Sequence, residues 1–169
     1  KYVQDKRVQL FALALSSKKG MANFYQSYQP STDVPEKYDW ISETDYGELM
    51  LNNSGSSSLK GGYKHNLTET IEVNTERYDN WCEEYHINNV DFVWVDDQGA
   101  EKSVLDGMGE KIHNIKFIWI EYGEVEYEDA MSRQETIRYM YGKSFNVVEQ
   151  YSDQSLTGDL LFYNNTIES

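Results

Sequence analysis

The chain has 169 residues and a formal net charge of −14, from 29 acidic against 15 basic side chains. That length is usually filled by one domain with a real core, and the charge excludes a nucleic-acid backbone or an anionic membrane surface as the main partner, since either would be repelled. A single cysteine excludes a disulfide framework within the chain, no apolar run approaches membrane-spanning length, and the opening "KYVQDKRVQL" lacks the plan of a signal peptide, so the sequence reads as soluble and cytoplasmic.

In chain order, "RVQLFALALSS", Arg7 to Ser17, becomes wholly apolar from Leu10, as a strand buried on both faces does. "GMANFYQSY", Gly20 to Tyr28, alternates in the manner of a second strand. Residues 29–66 show no clear period and hold both prolines and "NNSGSSSLKGG"; a loop of that length in a compact domain is usually functional or mobile. "TETIEVN", Thr68 to Asn74, is a short strand able to pair with the one before the loop. A helix from Thr75 to Tyr85 follows, with Tyr78, Trp81, Cys82 and Tyr85 on one face, which makes Cys82 a packed thiol rather than a nucleophile.

The rhythm then becomes regular. Strand Val90 to Val95 leads through a turn at Asp96 to Gly99 into a helix with Ala100, Val104 and Met108 on one face. Strand Ile115 to Glu121 comes next, then a helix opened by Ser132 and Glu135 at capping-box spacing and closed near Gly142. Two last strands, "FNVVEQY" and "DLLFYN", flank a turn-rich stretch that suits an antiparallel hairpin. Strand–helix alternation ending in a hairpin predicts an α/β sheet, largely parallel, with an antiparallel edge.

In such a sheet, ligands bind beyond the carboxyl ends of the parallel strands. Two such ends finish on acids: Asp96 and Asp97 after "FVWV", and Glu121 after "FIWI". Consecutive strands joined by one helix tend to be neighbours roughly 4.8 Å apart, so Asp96 and Glu121 are expected to converge. Paired carboxylates there either cap strand ends, hold a divalent cation, or act as general base toward a hydroxyl. Gln98 projects from the turn, exposed to solvent or serving the site; Glu101, in the first helical turn, complements the helix dipole. His65, His86 and His113 have no partner at catalytic or metal-ligand spacing and read as surface residues.

"NVDFVWVDDQGAEKSVLDGM" followed by "IKFIWIEYGEVEYE" strongly resembles the FkbM-type family of S-adenosylmethionine-dependent methyltransferases. That family shows a strand ending in Asp, then Gln/Glu-Gly-Ala-Glu, a Val-Leu-x-Gly helix end, and a strand ending in Glu. Weaker echoes in "FALALSSKKGMANFY", "SGSSSL", "ETIEVNTERYDNWCEEYHI" and "GDLLFYN" extend the resemblance over nearly the whole chain. It implies the class I methyltransferase fold, a mostly parallel Rossmann-like sheet in the order 3-2-1-4-5-7-6. It also implies O-methylation of a carbohydrate or small-metabolite hydroxyl, with Asp96, Glu121 and Gln98 as the catalytic group. By analogy with other enzymes of this fold, a divalent cation such as magnesium at those acids is a further option.

Two departures from the family pattern stand out. The family begins with a strand and a glycine-rich turn that cradles the cofactor, then a second strand, and neither is found before Lys1's "KYVQDKRVQL" run becomes the third strand. The resemblance thus implies a single domain over 1–169 that is the C-terminal portion of a longer methyltransferase domain lacking its first two strands. Ala14, Leu15 and Ser16 would end that third strand on the adenine side of S-adenosylmethionine, and Asp96 would also lie against the cofactor. The second departure is Trp94, where many relatives carry Lys before the Asp. Two other readings stay open: a non-catalytic remnant of the fold serving as a binding or interaction module, and a metal-dependent hydrolase built on Asp96, Asp97 and Glu121. The aromatics Tyr38, Trp40 and Tyr63 of the long loop would suit stacking on a sugar or ordinary packing.

Overall fold

A computed structural model describes residues 7–27, 57–61, 67–123, 127–151 and 156–167. Two sheets carry its strands. In the first, β1 (Ala14–Leu15), β2 (Gly20–Ser27) and β3 (Leu67–Glu76) lie in the order β1-β3-β2, with β1 parallel and β2 antiparallel to β3. In the second, β4 (Val90–Val95), β5 (Ile115–Gly123), β6 (Phe145–Tyr151) and β7 (Thr157–Asn164) lie in the order β4-β5-β7-β6. The helices are α1 (Tyr78–Glu84), α2 (Glu101–Met108) and α3 (Arg133–Gly142), and a 3-10 turn, Gly109–Asn114, joins α2 to β5.

Alternation along β4, β5 and β7 decides where the core sits. Val95, Ile118, Ile120, Leu160 and Phe162 point to one face and are fully buried. Val104, Leu105 and Met108 of α2, Cys82 of α1 and Met140 of α3 pack there with them. Each such aliphatic or aromatic side chain contributes roughly 1.5–3 kcal/mol by leaving water. The capping box of α3 forms as its spacing demands: Ser132 Oγ accepts from Glu135 N at 3.3 Å and Glu135 Oε2 accepts from Ser132 N at 2.9 Å. The far end of β7 is tied by buried Asn164, whose Nδ2 donates to the carbonyls of His113 and Ile115 at 2.9 and 3.0 Å.

Three expectations are corrected. Arg7 to Ser17 is not a long buried strand: only Ala14–Leu15 pairs, and Leu10 is 69% exposed. A strand extends only as far as a neighbour offers backbone partners, and Thr75 and Glu76 are what β3 offers. Those two residues are accordingly strand, and α1 starts at Tyr78 rather than Thr75. The described sheets are also not mostly parallel. β4–β5 is a parallel pair, whereas β5–β7 and β7–β6 are antiparallel, because the closing hairpin inserts its second arm beside β5. Cys82 is buried, and burial pushes its thiol up, as a packed residue requires. Of the 29–66 loop, residues 57–61 are described; Tyr38, Trp40, Tyr63 and His65 lie outside the described residues.

Candidate functional site

β4 ends on buried Val95, and the chain turns sharply through Asp96 to Ala100 into α2. Gln98 takes φ +50° and Gly99 φ +92°, left-handed values that let the turn close in four residues. A Cβ at residue 99 would stand 2.3 Å from the Cβ of Tyr127, so the glycine is required twice over. Glu101 does more than complement the helix dipole. Its side chain is buried, and Oε1 accepts from the backbone N–H of Asp97 and of Gly99, both at 3.0 Å. Burial raises the Glu101 carboxyl, and those amides offset part of the rise. Buried Ser58 completes the frame: its hydroxyl donates to the Gln98 carbonyl at 2.6 Å, while its backbone exchanges two hydrogen bonds with Tyr25 of β2. The turn is thus braced by both sheets.

On this frame the Gln98 amide stands between two acids. Its Nε2 donates to Asp96 Oδ1 at 2.7 Å and to Glu121 Oε2 at 2.9 Å. Tyr127 donates its hydroxyl to Gln98 Oε1 at 3.0 Å, which fixes the NH2 group toward the carboxylates. Glu121 sits on β5 directly across from Asp159 of β7. Burial raises the Glu121 carboxyl, and the charge of Asp96 and a hydrogen bond with it raise it further. The Asp97 carboxyl rises to about 7, through the protein mass around the turn and then the charges of Glu101 and Asp96; water at its exposed surface screens part of this. Asp159 accepts from the Trp119 indole N–H at 2.9 Å. Burial and the charge of Asp96 beside it thus make Glu121 the member of the pair that favours its protonated form.

The family model for the methyltransferase FkbM domain matches residues 2–151. The chain belongs to that family. It is 29% identical to a 2-O-methyltransferase, NoeI, of Sinorhizobium fredii (strain NBRC 101917 / NGR234), over 170 residues that make up 95% of this chain and 61% of the relative. The chain thus spans about three fifths of that relative's length. No solved structure matches it significantly.

In this FkbM chain the structure brings Asp96 and Glu121 together, as their places at the strand tips predicted, and adds Gln98, left open by the sequence, between them. It does not bring Ala14, Leu15 and Ser16 to them. Ala14 pairs with Thr75, five positions along β3 from Thr70, the partner of Tyr25, so β1 lies about 17 Å along the strand from the Ser58 brace. The Ser16 carbonyl instead faces Gly107, where a Cβ would come within 2.1 Å of it, at the end of α2 remote from the tip. Among the described residues no group of three or more His, Cys, Asp or Glu side chains is placed to hold a metal ion. The space between Asp96 and Glu121 that a cation would need is taken by the Gln98 amide. His86 and His113 are not part of the cluster; His113 faces Glu110 one turn away.

Tyr127 and Ser58 escaped the sequence reading. Each lies in a stretch without period, and each acts through one hydrogen bond to residue 98. Both lie inside stretches that carry the family resemblance, Ser58 in "SGSSSL" and Tyr127 in "IKFIWIEYGEVEYE", but only the narrow turn, whose Gly99 implies a close neighbour, pointed to their role.

Proposed function

We propose that this chain carries the acceptor-activating part of an S-adenosylmethionine-dependent O-methyltransferase, acting on a hydroxyl of a carbohydrate or small metabolite. The observation that carries the reading is the amide-bridged pair Asp96–Glu121 at adjacent strand tips, in a chain of the FkbM family. The cofactor of the family would supply an activated methyl group bound to a sulfonium. The acid tip suits the cationic end of such a group electrostatically. Its nucleoside end finds no cradle among the described residues: the glycine-bearing turn after β4 has the amides of Asp97 and Gly99 already taken by Glu101.

The chain's own residues do the following. An acceptor hydroxyl that displaces the Gln98 amide from one carboxylate donates its proton to that oxygen, and the freed Gln98 N–H orients the acceptor. With the family's cofactor bound to supply the methyl group, the proton that the acceptor hydroxyl gives up would be taken by the Asp96–Glu121 pair, where the crowding of negative charge favours holding it. Tyr127 keeps the amide from rotating its oxygen toward the acids, an orientation that would repel the pair.

The test is transfer of labelled methyl to a hydroxyl acceptor by the chain and by Asp96→Asn. The substitution is expected to lower the rate by about a hundredfold or more; unchanged turnover removes Asp96 from the chemistry. A second reading, a non-catalytic binding module of the same fold, is favoured by the occupied amides of the glycine turn. Calorimetry with S-adenosylhomocysteine separates the two, since a module of that kind takes up no heat-detectable cofactor.

A further inference from the structure

Gln98 is held from two sides by segments that are also fastened to each other. On its backbone side, buried Ser58 donates its hydroxyl to the Gln98 carbonyl at 2.6 Å, and the same oxygen accepts from the Lys60 N–H at 2.9 Å. On its side-chain side, buried Tyr127 donates to Oε1 at 3.0 Å. A little further along, the two segments meet. The Glu128 N–H donates to the Gly61 carbonyl at 2.8 Å, and Lys60 Nζ stands 3.1 Å from Asp129 Oδ2, a pair 69 positions apart in the chain. The contacts close a ring that runs from residue 98 through 58, 61, 128 and 127 back to 98.

The members of this ring differ in how firmly they hold. Ser58 exchanges backbone hydrogen bonds of 2.8 and 3.0 Å with Tyr25 of β2. Tyr127 is seated against Gly99, filling the place where a Cβ would stand. Both are anchored apart from their bonds to Gln98. The seam between 60–61 and 128–129 is the adjustable part. Asp129 keeps a left-handed φ of +60°, a conformation that a non-glycine residue holds where its surroundings maintain it. Its side chain is 81% exposed and that of Lys60 26%, so dissolved salt reaches the ion pair. An exposed pair contributes little in isolation. Here it closes a loop whose other bonds are fixed, so its loss appears as freedom at the opposite point of the ring, the Gln98 amide.

We propose that residues 58–61 and 127–129 form one clamp, closed by Lys60 and Asp129, that fixes the orientation of the Gln98 amide. Lys60 and Asp129 are then positioning residues for acceptor activation, although their ion pair includes neither Gln98 nor the acids. This rests on the acceptor-activating reading of Asp96 and Glu121, and adds how the donor they share is kept in place.

The Gln98 NH2 signals in NMR of the isotope-labelled chain, and their exchange with water, report on the clamp directly. Tyr127→Phe keeps the seated ring, removes only the donor, and so gives the signature of a released amide. Lys60→Met is expected to move the signals in the same direction and to speed exchange about two- to fivefold, the range an exposed ion pair can supply. Lys60→Arg restores the parent values, and about 0.5 M sodium chloride reproduces the Lys60→Met signals in the parent. Lys102→Met, which opens a pair belonging to α2 alone, leaves them unchanged. In methyl transfer, Lys60→Met should lower the rate about two- to fivefold. It should also move the acid limb of the pH profile upward, since carboxylates that lose an N–H donor hold protons more tightly. The clamp is overturned if Lys60→Met leaves the Gln98 signals as in the parent, or if Lys102→Met moves them equally. Signals that move while rate and pH profile stay put would refute the positioning role. Full turnover by Asp96→Asn would instead remove the acceptor-activating reading, and the response of the amide to Lys60 would still establish the clamp.

Discussion

Replacing Glu121 by Gln should make the protein more stable at alkaline pH and flatten its response to pH. In the fold the Glu121 carboxyl lies above its ordinary value of 4.5, through burial and the neighbouring charge of Asp96. Between the two values the folded chain keeps a proton that the unfolded chain has lost. Stability is therefore full below the ordinary carboxylate range, falls as pH climbs toward the folded value, and levels off above it. One proton of difference tilts stability by about 1.4 kcal/mol per pH unit. Glu121 is only half-buried, so water screens the effect, and about 1–2 kcal/mol between pH 5 and 8 is a fair expectation. The amide keeps the shape and accepts from Gln98 without the charge. Urea unfolding at pH 5, 7 and 8 measures it. At pH 5 the two proteins should match, and at pH 8 the variant's midpoint should lie about 0.5–1 M higher. A residual slope from Asp97, whose carboxyl is also raised, remains in both. A variant less stable than the parent at pH 8, with an undiminished slope, would refute the claim that Asp96 and Glu121 repel one another in the fold.

Two glycines in helices should respond oppositely to Ala. Gly107→Ala drives a Cβ into the Ser16 carbonyl and should cost about 2–3 kcal/mol in thermal unfolding, whereas Gly142→Ala meets open space and should gain about 0.5–1 kcal/mol. Asn164→Ala strips the carbonyls of His113 and Ile115 of their donor and should cost about 2–4 kcal/mol by urea denaturation. Tyr122→Phe removes a buried hydroxyl that finds no hydrogen-bond partner among the described residues, so its unfolding midpoint should hold or rise.

The elements legible in the sequence are those whose own residues mark both ends. β4 was bounded by Val90 and by the acids after Val95, and α3 by the Ser132–Glu135 box and Gly142, and both formed as read. Tertiary partners decided the others. Nothing within Arg7 to Ser17 says that β3 would pair with only two of its residues, and nothing within Thr75–Glu76 says that this pairing would hold off the helix. The same division runs through the site. Asp96 and Glu121 could be placed because adjacent parallel strands fix the relation of their tips. The bridge by Gln98 depends on a left-handed backbone and on Tyr127 arriving from 29 positions away, which no local pattern encodes. Glu101 illustrates the limit best: an acid in a first helical turn has an ordinary explanation, and only burial reveals the other.

That buried acid has a consequence for how the protein can change. Because Glu101 grips the backbone of residues 97 and 99 from within α2, the loop's shape is inherited from the helix rather than from the carboxyl and amide groups displayed at 96 and 98. Those two positions behave as a socket: chemistry can be exchanged there, acid for amide or amide for acid, while the mould that presents it stays as it was.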